Sequence, residues 1–98
     1  MTREELLFAA KKCVCGDREN EYGSPEDNFK TIAAFWGAYI KQLLPPKMTI
    51  DLNPEDVAAM MALLKIARIS SGQCKADNWI DLAGYAACGA ELQGDGND

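Results

Sequence analysis

The sequence contains no histidine. Catalysis near neutral pH most often takes its general base from an imidazole, and metal centres draw on it as heavily. Neither use is open here. No apolar run approaches the roughly 20 residues that a membrane span requires, so membrane insertion is not expected. Cations are also few: Lys and Arg number 10 against 15 Asp and Glu, for a net charge of −5. A protein that coats nucleic acid needs the opposite surplus. A small phosphorylated ligand stays possible, because two or three local cations can hold it. Glycine-rich phosphate loops are missing; Gly16 and Gly23 form no such pattern. No stretch alternates convincingly enough to read as a strand. Residues 49–53, TIDLN, come nearest and are taken as an extended linker.

Cysteine is present but in the wrong arrangement for zinc. Cys13 and Cys15 form C-x-C rather than C-x2-C, and Cys74 and Cys88 stand apart. Reduced, packed or idle thiols are the expected state, which fits a reducing compartment. The N-terminal MTREELLFAAKK has its charges misplaced for a signal peptide. The expected location is the cytoplasm.

What the 98 residues do contain is helix punctuation. Thr2 followed by Glu5 is a capping box. Leu6, Leu7, Ala10 and Val14 follow at helical spacing and Gly16 reads as a stop, giving a first helix over 3–15. Ser24-Pro25-Glu26-Asp27 opens a second, over 25–43, with Phe29, Ile32, Ala33, Trp36, Tyr39 and Ile40 as its apolar stripe. Asn53-Pro54-Glu55-Asp56 repeats that start. The following VAAMMALLKIARI is apolar almost all round, interrupted by Lys65 and Arg68, and gives a third helix over 54–70. A helix of that kind is central in its domain or shared with a partner chain. Asp77, read as an N-cap, opens a fourth over 77–93, whose Ala83, Gly84, Ala86, Ala87 and Gly89 permit close helix approach. Residues 94–98 form a flexible tail. The expectation is an all-α, compact four-helix domain spanning 1–93, with the third helix central and homo-oligomerisation completing the core. A chain this short buries only about two-thirds of its unfolded surface, which favours association.

Three places carry polar residues that a bare bundle does not need. Residues 16–29, GDRENEYGSPEDNF, hold Arg18, several carboxylates and Tyr22, a loop aromatic able to contact a base or ribose. Lys65 and Arg68 share a helix face. They suit either the negative end of the helix dipole or a bound phosphate. Asp77 and Asp81 share a face at the start of the fourth helix. Asp81 lies on the side of Tyr85 and Cys88, so it needs a partner: Lys65, Arg68, Arg18 or a metal.

The strings GDRENEYG, NFKTIAAFWGAYI, DVAAMMALLKIARI and DNWIDLAGYAA together resemble a family of small phage and prophage proteins of unknown function. They cover the chain from about residue 6 to 92. The layout is similar to nucleotide-modification-associated domain 1, and more distantly to the MazG-type all-α nucleoside triphosphate pyrophosphatases. That resemblance implies host-cell cytoplasm for a phage-encoded chain. It also implies magnesium held by paired acidic residues on facing helices. Asp77 and Asp81 stand where one such pair would be, but Lys65 and Arg68 replace the other. Glu19, Glu21, Glu26 and Asp27 would have to supply the missing oxygens. Three functions follow, in this order. One is a non-hydrolysing nucleotide-binding module using Arg18, Tyr22, Lys65, Arg68 and Asp81. The second is a structural, partner-binding homo-oligomer. The third is a magnesium-dependent pyrophosphatase with Asp77 and Asp81 on the metal.

Overall fold

Two of the helix starts in this chain are set by short-range hydrogen bonds. The computed structural model describes residues 1–17, 25–72 and 75–94, with Asp17, Pro25 and Glu26 described by backbone alone. Helix α1 spans Arg3–Lys12. The Glu5 amide donates to Thr2 Oγ1 at 3.1 Å, and the Thr2 amide donates to Glu5 Oε1 at 2.7 Å. Helix α2 spans Pro25–Leu43, α3 Pro54–Ser70 and α4 Ala76–Leu92. At the head of α3 the Asn53 amide donates to Asp56 Oδ2 at 2.8 Å. Among the described residues there is no strand. The 49–53 stretch is linker, and Leu52 packs back on α2, where a Cβ built at Gly37 would lie 3.6 Å from the Leu52 Cβ.

Two expected boundaries are corrected. Gly16 does not end the first helix. The chain continues through a π-type turn, Cys13–Asp17, and Gly16 lacks the positive φ that a helix-ending glycine uses. Gly72 and Gly94, at φ 92° and 95°, do take that conformation beyond α3 and α4. Asp77 is not an N-cap. Lys75 occupies that position, and Asp77 is exposed in the first turn, where its charge meets the positive end of the dipole.

Helices α3 and α4 pack most extensively, as an antiparallel hairpin. Its two helices approach so closely at Ala58 that a Cβ on Gly89 would sit 3.2 Å from the Ala58 Cβ. Helix α2 lies mainly on α3, and α1 on α4. The core comprises Phe29, Ala33, Val57, Ala58 and Cys88, with Val57 wholly buried. Trp36, Met61, Tyr85 and Val14 pack around it. Two members of the expected stripes are largely exposed. Leu7 is 62% exposed and Tyr39 67%, because the buried strip of each helix is narrower than its apolar one.

Val14 meets α4 at Gly84, where an added Cβ would come within 2.9 Å of Val14 Cγ1. Alanine gains about 1 kcal/mol of helix propensity over glycine, but overpacking costs about 1–3 kcal/mol. Gly84→Ala is therefore expected to destabilise by about 1 kcal/mol in urea denaturation. In a Val14→Ala background the same change is expected to stabilise. A stabilising effect in both backgrounds would show that the contact is not tight.

Candidate functional site

The sequence brings one cation and one carboxylate to the inside of the α3–α4 hairpin. Val57, Ala58, Met61 and Lys65 recur along the inner strip of α3. Tyr85 and Cys88 lie one and two turns beyond Asp81 on α4. Lys65 Nζ stands 2.9 Å from Asp81 Oδ2, with side-chain exposures of 10% and 25%. Beside the pair, the Tyr85 ring packs on Phe29 with centroids 6.3 Å apart at a 34° tilt. Charges removed from water this far are tolerated when each satisfies the other. Among the described residues no buried side-chain polar atom lacks a partner.

The other candidates do not join this pair. Arg68 is exposed and makes no ion pair among the described residues. Its position three residues on from Lys65 gives it a neighbouring direction, but by then α3 has turned it to solvent. Asp77 is exposed as well. Arg18 and Tyr22, with Glu19 and Glu21, lie outside the described residues, as does Cys74. Cys13 is partly exposed, Cys15 exposed and Cys88 buried, and none of the three is in a disulfide.

Among the described residues the donor set does not match the magnesium implied by resemblance. Among the described residues no group of three or more His, Cys, Asp or Glu could hold an ion. Asp81, one of the two carboxylates assigned to it, is engaged by an ammonium.

A feature that sequence reading half saw is a groove of about 480 Å³ between the N-terminal half of α3 and the C-terminal half of α4. Ala58, Ala62, Ala86 and Gly89 form its floor, and Glu55 and Asp56 stand at one end. The small residues of α4 were legible as a packing face. Their counterparts on α3, Ala59 and Ala62, were hidden in a run apolar on every side. Their spacing of three and four residues was the available signal.

Among the described residues no helix is long and apolar enough to cross a membrane. Residues 5–93 match a family described as Domain of unknown function (DUF6378). The chain is similar to the Gene 55 protein of Mycobacterium phage L5, with 39% identity over 88 residues, 90% of this chain and 52% of the relative. It is also similar to the Gene 55 protein of Mycobacterium phage D29, with 35% identity over 85 residues, 87% of this chain and 51% of the relative. The chain thus spans about half the length of the curated relatives it matches. No solved structure matches it.

A structural ion pair has an asymmetric signature. Asp81→Ala strands the more deeply buried ammonium and is expected to cost about 2–4 kcal/mol. Lys65→Met strands a carboxylate that water still reaches and is expected to cost less, about 1–2 kcal/mol. The Lys65→Met/Asp81→Leu double variant is expected to fall within about 1 kcal/mol of the parent in urea denaturation. Additive losses in the double variant would contradict a purely structural pair.

Proposed function

From the premise that the chain belongs to the DUF6378 family, a small phage protein family of unknown function, we propose that it is a self-associating helical module. Its work is assembly rather than chemistry on a small molecule. The observation that carries this reading is the amount of apolar side chain left in water. Phe35 is 73% exposed, Leu63 64%, Trp79 50% and Ile66 48%, on three different helices. Scattered apolar residues on a surface need no explanation, but recurrent stripes of them mark interaction surfaces.

Lys65 supports the same reading from inside, because its charge is already met by Asp81.

The second reading is a phosphorylated nucleotide bound without hydrolysis, as the likeness to nucleotide-modification-associated and MazG-type domains suggests. Its support is Arg68, whose exposed guanidinium has no ion-pair partner among the described residues. Arg18 and Tyr22 would be its companions. Lys65 enters this site only by leaving Asp81, which weakens the grip that the sequence offered.

Light scattering across a concentration series tests the choice. The expected result is a mass above the 10.7 kDa of the single chain and a melting temperature that rises with protein concentration. A single-chain mass at every concentration would overturn the proposal. A nucleotide-dependent rise in melting temperature, abolished by Arg68→Ala, would put the second reading in its place.

A further inference from the structure

The outer face of the α3–α4 hairpin has a large end and a small end. At 100° per residue, Ala59, Ala62 and Ile66 fall on one stripe of α3, and Trp79, Ala86 and Ala90 on one stripe of α4. The two stripes adjoin, because the 480 Å³ groove is lined by Ala59 and Ala62 from one helix and Ala86 and Ala90 from the other. The helices are antiparallel, so Ile66 and Trp79 sit together beyond the groove. They are 48% and 50% exposed. One half of the face is therefore a trough floored by small residues, and the other half carries two bulky apolar side chains that are half exposed.

Such a face is complementary to itself. Turned by half a turn about an axis through its middle, a second hairpin sets its Ile66 and Trp79 into the first one's trough, and receives the first one's pair in its own. This is the isologous geometry of a two-fold dimer. Charge follows the same operation. Glu55 and Asp56 close the small end, and the exposed Lys75 stands at the large end, at the N-cap of α4. Asp77 points to the far side of α4, about 180° from Ala86 on the helical wheel.

We infer that a second copy of this chain docks here, hairpin on hairpin, in an antiparallel four-helix arrangement. The inference rests on the self-association reading and assigns it a face and a register. The stripe of Phe35, Tyr39 and Leu43 on α2 is the rival surface. It lies on a single helix and lines no part of the described groove, so among the described residues it is a ridge without a matching trough.

The test compares light-scattering masses of the parent with Ala86→Arg, Ala59→Arg and Phe35→Glu, each checked for helicity by circular dichroism. Ala59, Ala86 and Phe35 are exposed in the single chain, so the folded subunit tolerates all three changes. The expected parent mass is twice the 10.7 kDa chain. Either arginine is expected to weaken the dimer at least a hundredfold while helicity holds, and Phe35→Glu to leave it intact. Dimers in both arginine variants would overturn this face and leave self-association standing. Dissociation by Phe35→Glu alone would move the interface to α2. A parent that is monomeric at every concentration would remove this inference and the reading beneath it together.

Discussion

The ion pair between Lys65 and Asp81 is the constraint on which the arrangement turns. An ammonium and a carboxylate drawn into the seam between two helices fix that seam's register, because a slip by one turn would strand both. Each could have served another purpose alone. Lys65 could have held a phosphate, and Asp81 a cation. Joined at 2.9 Å, they neutralise each other and leave the hairpin interior apolar on average. The close approach of Ala58 and Gly89 further along the same seam is the packing counterpart of that electrostatic clamp. They lie in the most extensively packed pair of helices, against which α1 and α2 rest.

A seam held this way has an outside. What these four helices bury is small: Val57 is the one large side chain fully buried among the described residues. The remaining apolar surface is distributed by helical geometry into stripes, and those stripes give the chain its most distinctive chemistry. Burying such surface against another chain is the proposal that the exposed stripes support.

Much of the fold was legible because helix ends are local. Thr2 with Glu5 and Asn53 with Asp56 announce their hydrogen bonds within four residues, and Gly72 and Gly94 supply the left-handed turn that ends a helix. The failures have equally local causes. Gly16 looked like a stop, but the chain keeps to ordinary φ there and widens into a π-type turn that brings Val14 onto Gly84. Asp77 looked like a cap, but the helix starts one residue earlier. The site was less legible. Spacing put Lys65 and Arg68 together, yet 60° of helix rotation separates a buried side chain from an exposed one. Sequence could require that Asp81 have a partner and could name four candidates. Choosing Lys65 took the antiparallel register of two helices, which no single segment encodes.

Hydrogen exchange followed at increasing protein concentration is the most direct measure of the central claim, that the clamped hairpin is the part of the molecule shared between copies. The account predicts that backbone protection in α3 and α4 rises with concentration while exchange in α1 stays constant. Protection in α3 and α4 that is indifferent to concentration would contradict it.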